Sequence, residues 1–148
     1  MADFDADERR RALGNLPLFA GCSPWQLRRI AHLTSTEDAV PGRVLCRQGD
    51  PGDRFFVVLE GEATVTIDRA DVATMGPGCG FGEIALLTAH GRRTATVTAA
   101  TPMTLLALDR DDFAVLLDVA PVVAHRILRD ATIRLARDAR SRRIVASP

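Results

Sequence analysis

The spacing of apolar positions changes twice along the chain, and each change marks a different kind of element. Before about residue 35 the pattern is helical in short pieces. Asp7 to Leu13 has the length of about two turns. SPWQLRRIAHL reads as a helix over Pro24–Leu33, with Ser23 as N-cap, Pro24 in the first turn and Gln26 completing a capping box. From about Thr36 the period becomes two. VPGRVLCRQGDPGDRFFVVLEGEATVTIDRADVATMGPG alternates short β-branched or aromatic runs with Gly, Pro and Asp turns, the pattern of an antiparallel sandwich or barrel. It predicts strands at Val44–Arg47, Arg54–Leu59, Ala63–Ile67 and Val72–Met75, with two more at Thr94–Ala99 and Met103–Leu108.

The helical period returns at Asp109, an N-cap followed by Asp111 and Asp112, whose carboxylates suit the positive end of a helix dipole. Phe113, Leu116 and Leu117 supply the buried face of that helix. Pro121 opens a longer one, running to about Ser141, on which Ala124, Leu128, Ala131, Leu135 and Ala139 form one apolar stripe. Its other faces are basic, with Arg126, Arg129, Arg134, Arg137, Arg140, Arg142 and Arg143 against Asp130 and Asp138. Such a stripe packs first on its own barrel and second on a twin copy, as a lid or a dimer seam.

The 148 residues, 47% hydrophobic and 26% charged, fit one globular domain over 1–148: helices over 1–35, a β-barrel over 36–109 and helices over 110–141. No apolar run approaches the roughly 20 residues that span a bilayer, and MADFDADERRR has no apolar segment behind it, so a cytoplasmic protein is expected. Cys22, Cys46 and Cys79 lack paired spacing and read as buried free thiols. The formal charge is zero, yet all 19 basic residues are arginine. The absence of lysine excludes a Walker A lysine, a kinase-type lysine and a Schiff-base lysine together. His32, His90 and His125 are scattered and no nucleophile or metalloprotease motif is present, so no enzyme activity, cofactor or metal is expected.

The chemistry gathers in MGPGCGFGEIALLTAHGRRTATV. Its glycines do not follow GxGxxG and sit among antiparallel strands, which argues against a dinucleotide fold. What remains is a short helix near Glu83–Leu87 entered through Gly82, with amides near Ile84 and Ala85 open to an anion. Arg93, at the head of the next strand, can present two donors to a phosphate. Glu83 would be repelled by that phosphate unless it accepts from a neighbouring hydroxyl or pairs with the arginine. A ribose hydroxyl beside a phosphate satisfies both groups. Taken singly, Glu83 is a helix-dipole partner, and Arg92 and Arg93 are solvated loop charges; order and context favour the shared ligand.

PGRVLCRQGDPGDRFFVVLEGEATV, with Gly42, Gly49, Asp50 and Gly61, and FGEIALLTAHGRRTATV together resemble the barrel signature and phosphate-binding cassette of the cyclic nucleotide-binding domain family. This is the module of catabolite activator proteins, cyclic-nucleotide-dependent kinases and cyclic-nucleotide-gated channels. The resemblance runs from about Leu13 to Arg140 and implies an α+β fold: an eight-stranded antiparallel jelly-roll barrel with short N-terminal and two C-terminal helices. It assigns Arg93 to the cyclic phosphate, Glu83 to the ribose 2′-hydroxyl, and the backbone of Gly82, Ile84 and Ala85 to phosphate or sugar oxygens. Thr94 falls at a position that bonds the phosphate and sometimes the base.

Phe81 and Ala95 complete the cassette set, over about residues 80–97. Arg92, where the family often has proline, is a second phosphate contact or a solvated charge. Gly80 stands where many members carry a bulky residue. Thr94 with Asp138, and Arg134 one turn earlier, resemble cGMP-preferring members; prevalence in the family favours cAMP. The expectation is a non-enzymatic sensor that binds a cyclic nucleotide and reports through its last helix to a partner protein, as a monomer or a homodimer. Within these 148 residues nothing after that helix is long enough for a DNA-binding domain. The alternative is an interaction module whose pocket is empty or holds another anion and whose arginine-rich helix docks an acidic partner or nucleic acid.

Overall fold

The computed structural model describes residues 5–88 and 91–146, with side chains to residue 133. Helix α1 (Ala6–Gly14) is closed by an Asp5–Glu8 capping box and α2 (Pro24–Leu33) by the expected Ser23–Gln26 box. A 3-10 turn over Pro17–Phe19 lies between them. Eight strands follow, β1 (Ser35–Ala39), β2 (Val44–Cys46), β3 (Arg54–Glu60), β4 (Ala63–Ile67), β5 (Ala70–Met75), β6 (Gly80–Phe81), β7 (Thr96–Ala99) and β8 (Met103–Asp109), with α3 (Glu83–Leu87) between β6 and β7. Helices α4 (Arg110–Val119) and α5 (Pro121–Ala146) end the described chain. No described helix is long and apolar enough to cross a membrane.

The strands form two antiparallel four-stranded sheets, ordered β1-β8-β3-β6 and β2-β7-β4-β5. This is the eight-stranded jelly-roll architecture expected, made of two facing sheets. The run RFFVVLE in β3 shows why one sheet is buried on both faces. Phe55 and Val57 join Leu13, Phe19, Ile30, Phe113 and Ile127 in a core beneath the helices, while Phe56 and Val58 join Cys46, Val65, Phe81 and Val97 between the sheets. Strand β8 splits in the same way, Leu106 and Leu108 against Leu105 and Ala107. The second sheet buries one face only, and β4 alternates accordingly.

Two strands carry no signal that the pattern could show. Strand β1 reads STEDA and buries only Ala39; its place comes from backbone pairing with β8, Ser35 opposite Ala107 through Ala39 opposite Met103. Strand β6 is two residues long, paired with Val57 and Phe56. Expected boundaries move slightly: β2 stops at Cys46, and β7 begins at Thr96 because Thr94 and Ala95 bend away before the ladder with β4 starts.

The long helix differs from expectation in which face it buries. Val123, Ile127 and Ala131 are buried with Ala120, whereas Leu128 is 48% exposed and Ala124 only half-buried. Both rows have helical spacing and share Ala131. Arg126 selects between them: its Nη1 donates to the carbonyls of Leu18 at 2.9 Å and Ala20 at 2.7 Å, seating α5 on the 3-10 turn and turning Ile127 toward Phe19. Leu135 and Ala139 lie outside the described side chains. Of the three cysteines, all free, only Cys46 is buried; Cys22 and Cys79 are half-buried.

Candidate functional site

Helix α3 starts from Gly82 at φ +96°, a left-handed N-cap. A β-carbon there would lie 2.6 Å from the Arg54 carbonyl oxygen and 2.6 Å from Arg93 Nη1, so glycine is demanded by conformation and by space. The helix then buries Glu83 (2% exposed), Ile84 and Ala85. Its first amides have no acceptor within the helix.

Arg93 reaches the same place from the far side of a loop. Its N–H donates to the Asp50 carbonyl and its own carbonyl accepts from Gly49 N–H, both at 2.9 Å, while Pro51 and Arg92 form an isolated bridge. The side chain lies over Gly52, where a β-carbon would come within 2.5 Å of Cζ and 2.6 Å of Cδ. Nη1 donates to the carbonyls of Arg54 (3.0 Å) and Gly82 (3.1 Å). Arg93 is 9% exposed, and no carboxylate among the described residues forms an ion pair with it. A charge this far from water calls for an anion or strong dipoles.

These groups line a cavity of about 210 Å³ between α3 and the inner face of the second sheet. Phe81, Gly82, Glu83, Ile84, Ala85, Arg93, Thr94 and Ala95 all contribute to it. Arg92 does not: it is exposed, and its Nη1 donates to the Gly49 carbonyl at 2.8 Å, so it braces the loop. Arg134 and Asp138 lie outside the described side chains.

The remaining lining was not picked out from the sequence: Cys46, Val65, Ile67 and Val97 from β2, β4 and β7, Val72 to Met75 along β5, and Cys79. The alternation of β4 marks an inward face, but not that the face opens on a cavity. Burial pushes the Cys46 thiol from 9.0 up to about 11; Arg93 opposes that rise, Glu83 adds to it and Arg54 opposes it. The missing bulk at Gly80 is supplied by Phe55, whose Cζ lies 2.6 Å from where a β-carbon would stand and whose ring packs on Phe113 at 5.0 Å. No group of three or more His, Cys, Asp or Glu among the described residues is arranged to hold a metal ion.

The family model described as cyclic nucleotide-binding domain matches residues 37–119. A cyclic nucleotide-gated potassium channel of Mesorhizobium japonicum is 38% identical over 80% of this chain and 33% of the channel. The chain spans 33% to 39% of the length of such curated relatives. Among solved structures, the regulatory domain of Toxoplasma gondii PKA with cAMP superposes with a TM-score of 0.76 at 25% identity, covering 86% of this chain and 50% of that one. The regulatory subunit of a cAMP-independent protein kinase A from Trypanosoma brucei also scores 0.76 at 25% identity, over 86% and 47%.

Proposed function

The chain belongs to the cyclic nucleotide-binding domain family, and from that premise we propose that its cavity binds a 3′,5′-cyclic nucleotide, cAMP ahead of cGMP. The observation that carries the reading is Arg93: a guanidinium nine-tenths buried, seated by two carbonyls and with no described carboxylate as counter-charge. The cyclic phosphate supplies that charge. Glu83 accepts from the ribose 2′-hydroxyl, the one ribose hydroxyl a 3′,5′-cyclic nucleotide leaves free, and the first amides of α3 meet the remaining oxygens. The apolar β4–β5 side takes the base. A relative's structure with cAMP supports the order of preference.

Occupancy is reported through α5. Glu83 lines both the ligand cavity and a second one, of about 280 Å³, under Arg126, Ile127 and Asp130. A ligand that moves Glu83 therefore acts on the seat of α5, and any partner reading that helix senses the difference between the two states.

Calorimetric titration with cAMP and with cGMP tests the assignment. Wild type is expected to bind, and Arg93→Ala to weaken binding at least about a hundredfold, roughly 3 kcal/mol, because charge-assisted bonds in a dry site are lost. Absence of heat from both nucleotides in folded protein would overturn it. That result favours the second reading, a module whose pocket takes no cyclic nucleotide and whose arginine-rich helix is the working surface, for which the cAMP-independent relative is a precedent in fold.

A further inference from the structure

The hairpin between β4 and β5 turns through Asp68 and Arg69, at φ +51° and +69°, the two described non-glycine residues in the left-handed region. Consecutive left-handed residues suit a tight two-residue hairpin, where Asn-Gly or Asp-Gly is the usual sequence. Arginine at the second position is disfavoured by its β-carbon, so something must hold it.

Gln48 holds it. Its side-chain amide donates to Asp68 Oδ1 at 2.9 Å and its side-chain carbonyl accepts from the Asp68 N–H at 2.8 Å. Its backbone N–H donates to Thr96 Oγ1 at 2.9 Å. The two residues that follow are Gly49 and Asp50, whose backbones grip Arg93. One three-residue segment therefore ties the hairpin that walls the cavity to the arginine on its other side.

We infer that Gln48 is a positioning residue for the ligand: it sets the spacing between the β4–β5 wall and Arg93, and the left-handed turn persists because Gln48 clamps it. The inference rests on the cyclic-nucleotide reading. Without the clamp the turn relaxes, the hairpin shifts along its free edge, and a ligand can satisfy the phosphate side or the base side but not both.

Gln48→Ala is expected to weaken cAMP binding about tenfold while lowering the thermal midpoint by only about 4 °C. Gln48→Glu keeps the shape but sets a carboxylate against Asp68, and should weaken binding at least as much. Adding Arg69→Gly to Gln48→Ala should restore affinity to within about twofold, since glycine holds the left-handed turn unaided. Unchanged affinity in Gln48→Ala, or a loss that Arg69→Gly does not repair, would overturn the positioning role. Amide hydrogen exchange on protein without nucleotide separates this from failure of the ligand reading. Amides of β5 should exchange faster in Gln48→Ala and recover with Arg69→Gly, whether or not wild type binds cAMP; β5 exchange that stays unchanged sinks the brace itself.

Discussion

On one side of the cavity Arg93 and Glu83 are buried, and Arg93 is fixed by backbone from three separate segments, the Gly49–Gly52 loop, the start of β3 and the entry to α3. On the other, β5 stands at the edge of its sheet, exposed or half-buried along its length, with Val72 42% exposed. The polar side is organised before any ligand arrives, and folding has already met the cost of burying its charges. The β5 edge of the apolar side would gain burial only under a ligand that covers it. Polar groups must be placed in advance to be useful in a dry site, whereas an apolar wall needs only shape and can be completed by what binds.

Arg93→Ala, the largest expected effect, breaks the organised side outright. Next is the dryness of the cavity where its apolar wall borders Arg93 and Glu83, which Cys46 reports. The raised thiol pKa means that the fold binds this proton more tightly than the unfolded chain does. The associated stability is therefore whole below pH 9, falls as pH rises, and is gone above about 11. A move from 9.0 to about 11 corresponds to roughly 3 kcal/mol. Urea unfolding at pH 8 and pH 11 should show wild type losing about 2 kcal/mol more than Cys46→Ala, since the folded thiol is still half protonated at pH 11. Equal losses would mean that the thiolate is solvated and the cavity around Cys46 wetter than described.

Gly52→Ala sharpens the comparison without removing a charge. Its methyl would displace the arginine stem while leaving the guanidinium present, so affinity for cAMP is expected to fall about tenfold, less than in Arg93→Ala. A loss as large as that of Arg93→Ala would mean that position counts for as much as charge; no loss would mean that the loop gives way freely.

The same contrast governs what could be read from the sequence. The organised side was legible because its residues lie close together in the chain and their types are chemically unusual there: a glutamate after a glycine that must be left-handed, and an arginine before a β-branched run. The apolar side is assembled from β2, β4, β5 and β7, whose valines, alanines and threonines look alike whether they face a core, a cavity or solvent. Strand β1 escaped because STEDA is placed by pairing with β8 and by the Glu37–Arg54 ion pair rather than by alternation. The stripe on α5 was misplaced by one residue because both rows fit helical spacing, and the choice between them comes from tertiary contacts, Arg126 on the carbonyls of the 3-10 turn and Val123 and Ile127 in the core beside Phe19.

The smallest expected effect isolates the apolar side. Val72→Ala removes two methyl groups from a residue that free protein already leaves 42% exposed, so stability should change by less than about 0.5 kcal/mol. If the base covers this residue, those methyls leave water only in the complex, and their loss should weaken cAMP binding by about 1 kcal/mol, roughly fivefold. A cyclic ribose phosphate lacking the base should bind both proteins equally, because it has nothing to lay against β5. Equal loss for the two probes would place Val72 against the sugar and phosphate, and the division of the cavity into a polar and an apolar side would have to be redrawn. Loss for cAMP alone, with stability unchanged, is the signature of a wall that the ligand completes.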